Sequence, residues 1–157
     1  MPLPRRDVLS LLLTLPLVAC GRRDRGQDAP VSQGGLNPGE TPAMRALIRK
    51  YAGIHGIPES LLHRVIQRES DYNPRARNGP YYGLMQILPQ TAGTMGYRGA
   101  PDGLLDAETN LKYAGRYLRG AWLVSDGSET KAVTWYAKGY YYEAKRRGLL
   151  QETELRT

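Results

Sequence analysis

An all-α fold is predicted by three observations. Apolar residues recur at three- and four-residue spacing, capping residues and prolines precede those runs, and no segment alternates convincingly with period two. The chain has 157 residues, 41% hydrophobic and 24% charged, which allows one small core and excludes several domains or disorder throughout. Its 22 Lys and Arg against 15 Asp and Glu give a net charge of +7, pointing to an acidic partner such as nucleic acid, anionic lipid or an acidic polysaccharide. A single cysteine excludes an intramolecular disulfide framework and a zinc site built from several thiolates. The aromatic set is eleven Tyr, two Trp and no Phe.

The first forty residues are expected to lie outside the fold. Arg5 and Arg6 precede an apolar run over residues 8–18 that is too short to span a bilayer as a helix, so residues 1–19 read as a signal peptide. The run ends Leu17-Val18-Ala19-Cys20-Gly21, which resembles a bacterial lipobox and gives the lone Cys20 a role as lipid attachment point. Arg5-Arg6 before Asp7-Val8-Leu9 also resembles a twin-arginine export signal, with Pro4 where a hydroxyl residue is usual, so either export route is open. Residues 20–40 are rich in Gly and Pro, carry scattered charge and lack apolar periodicity, the composition of a flexible tether with a reach of roughly 25 Å.

The folded domain is expected over residues 41–157. Thr41-Pro42 is a cap followed by proline at the first helical position, with Met44, Leu47, Ile48 and Tyr51 on one face and Gly53 or Gly56 as the stop. Pro58 opens a second helix with a stripe of Leu61, Leu62, Val65 and Ile66, which Asn73-Pro74 must stop. Gly79-Pro80 marks a loop. An apolar segment over residues 84–88 runs into Pro89-Gln90-Thr91-Ala92, a further helical turn that ends at Gly93 and Gly96. Asp106 caps a longer helix with Leu111, Gly115, Leu118 and Trp122 along one face; Ser128 caps the next, carrying Val133, Trp135 and Tyr136. A last helix is expected over residues 140–149.

One side chain in the second helix stands on the wrong face. Successive residues turn by about 100°, so Leu61, Leu62, Val65 and Ile66 all lie within about 80° of Glu69, whereas Arg64, Gln67 and Arg68 point about 100° or more away. A carboxyl at the rim of a core has its charged form disfavoured and its pKa raised, which is what a general acid needs. The plain alternative is a glutamate in the last turn that reaches out to solvent.

The neighbours of Glu69 decide between these. Glu69-Ser70 is followed by Tyr72-Asn73-Pro74, then by Gly83-Leu84-Met85-Gln86 and Ile87-Leu88-Pro89-Gln90-Thr91-Ala92. In this combination the sequence resembles the catalytic domain of the soluble-lytic-transglycosylase type, related to goose-type lysozyme, and the likeness extends to Asn110-Leu111, Gly115, Tyr117-Leu118, Tyr136 and Gly139. The resemblance implies a lysozyme-like helical domain with a glycan-binding cleft. It implies Glu69 as catalytic acid/base, Ser70 as a polar partner near the substrate's acetamido group, Gln86 as a hydrogen-bonding group, Met85 against a sugar face, and Tyr136 with its hydroxyl close to Glu69.

Two departures from the family pattern border the implied cleft. Trp135-Tyr136-Ala137-Lys138-Gly139 stands where A-Y-N-A-G is common, and the loop before Gly83 is about one residue short and carries Tyr81-Tyr82. Tyr140-Tyr141-Tyr142 add faces suited to sugar C–H groups.

Most glycosidases use two carboxylates, and a second is hard to find here. Asp71 lies about 200° round the helix from Glu69, Asp102, Asp106 and Glu108 fall in a loop and cap, and Glu143 is the best remaining candidate. The implied reaction needs only one: cleavage of the MurNAc-GlcNAc bond of peptidoglycan with formation of 1,6-anhydro-MurNAc ends. Against it stand a lysozyme-like hydrolase and a catalytically silent cell-wall binding module. No cofactor or metal is expected, and His55 and His63 have no metal-like spacing. Nucleic acid is a poor partner because an exported domain would not meet it and the basic residues are dispersed; the one dense run, Lys145-Arg146-Arg147, reads as a solvated helix end. The expected partners are glycan strands and, through Cys20, a membrane, with the domain monomeric on the periplasmic side of the envelope. Gly21 after the cysteine favours the outer membrane.

Overall fold

The computed structural model describes residues 35–155. The expected signal peptide, Arg5-Arg6 and Cys20 lie outside the described residues. Among the described residues six helices carry the fold: α1 Pro42–His55, α2 Glu59–Ser70, α3 Pro89–Thr94, α4 Ala107–Leu123, α5 Glu129–Lys138 and α6 Tyr141–Arg147. A 3-10 helix, Pro101–Leu105, precedes α4 in a stretch where only a loop was expected.

The caps follow the sequence. The Thr41 hydroxyl accepts from the Met44 N–H, Asp106 accepts from Thr109 and Ser128 from Lys131, each satisfying one of the free donors that open a helix. Gly56, at φ 58°, closes α1, so Gly53 stays inside the helix. Gly148, at φ 73°, closes α6 just ahead of the expected end. The second helix also stops early, at Ser70 rather than Asn73, because Asp71 (φ 49°) and Tyr72 (φ 64°) both adopt the left-handed conformation. Two such residues in succession are costly unless their surroundings fix them.

Helix α4 is the centre of the packing, contacting α1, α3, α5 and the 3-10 helix, while α2 packs on α1 and α5. Leu61, Leu62, Val65 and Ile66 of α2, with Leu111 and Leu118 of α4, are completely buried, as their stripes predict, while Trp122 at the end of the α4 stripe is only partly buried.

Between α2 and α3 the chain makes a small hairpin that the sequence pattern does not announce. Strands β1 Arg77–Asn78 and β2 Tyr81–Tyr82 pair antiparallel, with Arg77 opposite Tyr82 and Asn78 opposite Tyr81, and Gly79-Pro80 forms the turn. Strands of two residues are too short to show alternation.

The domain also begins earlier than Thr41. Asn37 donates from its backbone and side-chain nitrogens to the Glu40 carboxylate, both at 2.9 Å, and Arg45 holds the same carboxylate from the other side. The Arg45 guanidinium brings the Glu40 pKa down to about 2 in spite of burial. Gly39 (φ 80°) lies so close to the turn after α2 that a Cβ there would sit 2.6 Å from the Asp71 carbonyl oxygen. Residues 37–40, expected to be the end of the tether, are therefore fixed to the domain by a buried, paired carboxylate.

Candidate active site

Glu69 lies in the last turn of α2, with its side chain 23% exposed. Burial against the apolar stripe raises its pKa, and the positive charge of Arg68, whose Nε is 3.5 Å from Oε1, opposes that rise. The geometry of the stripe thus produces the partly desolvated carboxyl that the 100° rotation predicts.

The segment facing Glu69 is held by backbone bonds. Ser70 Oγ donates to the Leu84 carbonyl at 2.7 Å and makes a longer bond to the Ile66 carbonyl, tying the end of α2 to the Gly83-Leu84-Met85-Gln86 turn. Its hydroxyl hydrogen serves the backbone, so the structure gives Ser70 a positioning task. Met85 differs more plainly from expectation: its side chain is fully buried in the core and cannot lie against a sugar face. Met85 contributes through its main chain, whose N–H donates to Asn110 Oδ1 at 3.0 Å and whose carbonyl accepts from the Tyr136 hydroxyl at 2.8 Å.

Gln86 adopts φ 47°, unusual for a residue with a side chain. Its Nε2 donates to the Gly83 carbonyl at 2.8 Å and the Ala76 carbonyl at 3.1 Å, which fixes the amide orientation. The Oε1 is left buried and accepts no hydrogen bond among the described residues. A buried acceptor without a donor costs free energy, and such costs are concentrated at working sites.

Tyr136, on α5, is 9% exposed and stacks edge-on against Tyr117 at 5.5 Å. Burial first, then the negative charge of Glu69, pushes its phenol well above the ordinary range, so it stays protonated. The field of Glu69 reaches Tyr136, but the phenolic hydrogen goes to Met85.

Glu69, Gln86 and Tyr136 line a groove made of two adjoining cavities, whose walls do not include Ser70 or Met85. One, of about 310 Å³, contains Arg68, Glu69 and Asn78; the other, of about 290 Å³, contains Leu88, Thr91, Tyr117 and Lys138. Tyr81, Gln86, Tyr136 and Ala137 line both. Both sequence departures therefore supply groove wall, through Tyr81 and through Ala137 and Lys138, while Tyr82 faces Arg77 outside it. Larger cavities beside Arg75 and beside His55 lack Glu69.

Glu69 is the only carboxylate lining this groove among the described residues. Asp71 is exposed at the end of α2; Asp106 caps α4; Glu108 pairs with Lys50 and Tyr51. Glu143 is taken by Arg146 and Arg147, whose guanidinium groups bring its pKa down to about 2. Arg147 also pairs with Asp126, so two of the three basic residues in that run are not free charge. His55 contacts the Leu111 carbonyl and His63 the Tyr72 hydroxyl, and no group of three potential metal ligands occurs among the described residues.

Sequence reasoning missed the part that Asn110 plays. Fully buried, it accepts from Met85 and donates to the carbonyls of Tyr82 and Leu104, both at 2.9 Å, so all its hydrogen-bonding groups work to hold the turn that carries Gln86. Gly83, at φ 76°, packs against this amide and the Leu104 carbonyl so closely that a Cβ would overlap both. A buried position on the apolar face of α4 occupied by an amide is the signal that marked it.

Comparison with known proteins agrees with this geometry. The profile of the transglycosylase SLT domain matches residues 46–153. The protein named membrane-bound lytic murein transglycosylase C of Histophilus somni (strain 2336) is 52% identical over 48 residues, which is 30% of this chain and 13% of that protein. Its namesake from Yersinia pestis (strain Pestoides F) is 38% identical over 80 residues, 46% of this chain and 22% of that protein. The chain thus matches less than a quarter of the length of these relatives. No solved structure gives a significant match.

Proposed function

Because the chain belongs to the transglycosylase SLT domain family, we propose that it is a peptidoglycan lytic transglycosylase in which Glu69 alone serves as acid and then as base. The observation that carries this reading is a single groove carboxylate whose pKa burial has raised. An acid whose neutral form burial favours, with no second carboxylate beside it to activate water, suits an intramolecular reaction better than hydrolysis.

Glu69 gives its proton to the oxygen linking MurNAc to GlcNAc, and the C1–O bond breaks. The acetamido group of the same MurNAc supports the positive charge at C1. Glu69, now a carboxylate, takes the proton of the C6 hydroxyl as that oxygen bonds to C1. The 1,6-anhydro ring closes, Glu69 is protonated again, and no water is consumed. The Gln86 turn forms groove wall beside the acid, Tyr136 closes that wall, and Ser70 keeps the acid and the Gln86 turn in register.

The relatives are named as membrane-bound. No helix among the described residues is long and apolar enough to cross a membrane. A lipid on Cys20 supplies the attachment in our reading, holding a monomeric domain on the periplasmic side of the envelope, at the outer membrane. Fractionation of cells carrying Cys20→Ala checks this: the variant should leave the membrane fraction, and its retention there would refute the anchor.

The catalytic assignment is tested by loss of turbidity of purified sacculi. Glu69→Gln keeps size and hydrogen-bonding shape but cannot transfer the proton, and should lower the rate by about 10²-fold or more while the helical circular dichroism is unchanged. Undiminished lysis would remove Glu69 from the mechanism.

A further inference from the structure

The groove is electrically lopsided. Three of its lining residues carry charge: Arg68 and Glu69 in one cavity, and Lys138 in the other. Arg68 is already engaged with Glu69. Lys138 is exposed at the last residue of α5 and has no hydrogen bond or ion pair among the described residues. When Glu69 holds the proton it needs as an acid, the groove contains two cations and no anion. Such a site is complementary to a ligand with negative charge in the cavity adjoining the acid.

We propose that Lys138 is a specificity-determining residue that binds a carboxylate of the substrate in the cavity next to Glu69. This rests on the transglycosylase reading and adds a preference that the acid alone would not produce. Tyr136 and Ala137 line both cavities, so a single glycan lying along them brings the C1–O bond of a MurNAc to Glu69 and the C3 substituent of a MurNAc to Lys138. In peptidoglycan that substituent has a carboxylate from one of two sources. It is the lactyl group of MurNAc where the stem peptide has been removed, or a side-chain or terminal carboxylate of the peptide where it remains. A lysine ammonium on a flexible stem accepts either without a fixed geometry, unlike a bidentate guanidinium.

The test uses the full chain carrying Glu69→Gln, so that binding is read without cleavage, and compares it with the same chain carrying Lys138→Gln as well. Three ligands separate the sources: peptide-bearing strands, peptide-free strands with the lactyl carboxylate free, and peptide-free strands with that carboxylate converted to a neutral methylamide. Lys138→Gln should weaken binding roughly two- to five-fold for the strands whose carboxylate is recognised. It should leave the neutral strands unchanged, and the difference should shrink as salt is raised. Lys138→Arg, which keeps the charge, should restore most of the affinity. The charged ligand that responds identifies the source. Equal affinities of the two proteins for all three ligands, or an equal loss on the neutral strands, overturns the assignment of Lys138. Failure of the wild-type chain to cleave any strand counts instead against the Glu69 reading, because the binding comparison does not depend on cleavage.

Discussion

At the end of α2, two opposing influences set the proton affinity of Glu69. Burial favours the neutral acid, while Arg68, at 3.5 Å, favours the carboxylate. An acid that must be protonated to act loses activity as pH rises through its pKa, so the raised pKa moves that loss toward neutral pH. Replacing Arg68 with Gln removes the cation that stabilises the carboxylate, so the alkaline limb of the pH–rate profile should move to higher pH, and by less at high salt because Arg68 is about half exposed. An unmoved limb, or one moved to lower pH, would show that Arg68 does not tune the acid. Glu69 was legible in the sequence because helix rotation alone sets it on the apolar stripe. The tasks of Ser70 and Met85 were not, since burial and backbone partners depend on segments distant in the chain. Met85 in particular has the sequence context of a groove residue and the environment of a core residue.

Among the elements, the caps and stripes of α1, α2, α4 and α5 follow from local rules, and those four helices could be drawn from the sequence with small errors at their ends. The region between α2 and α3 could not. Its shape is set by the left-handed residues Asp71 and Tyr72, a hairpin of two-residue strands, and the Asn110 amide from α4. Local propensity contains no record of a bond made across the fold by Asn110. Its replacement by Ala would leave the Met85 N–H and the Tyr82 and Leu104 carbonyls without their side-chain partner, and should destabilise the domain by about 3–5 kcal/mol in chemical denaturation. Because the same bonds hold the Gln86 turn, residual activity should fall further than stability accounts for. A loss below 1 kcal/mol would mean that the turn is held elsewhere. The fixed position of Glu40 against Arg45 and Asn37 shows the same limit from the other direction: a stretch with tether-like composition ends in residues that belong to the domain.

For the molecule as a whole, the opening composition takes on a more specific sense. The excess of basic residues lies in a domain whose groove displays Arg68 and Lys138, so the overall and the local charge both suit the acidic glycan strand proposed as its partner. The tyrosines that dominate the aromatic set are divided. Tyr117, Tyr136 and Tyr140 form one packed cluster of which the first two line the groove, Tyr81 lines its other wall, and Tyr142 is 82% exposed. The central claim is that one carboxylate closes a ring without consuming water. Mass spectrometry of the products released from purified sacculi by the wild-type chain tests it most directly. The account predicts muropeptides ending in 1,6-anhydro-MurNAc, absent from the Glu69→Gln digest. Products one water heavier, with reducing ends, would contradict it.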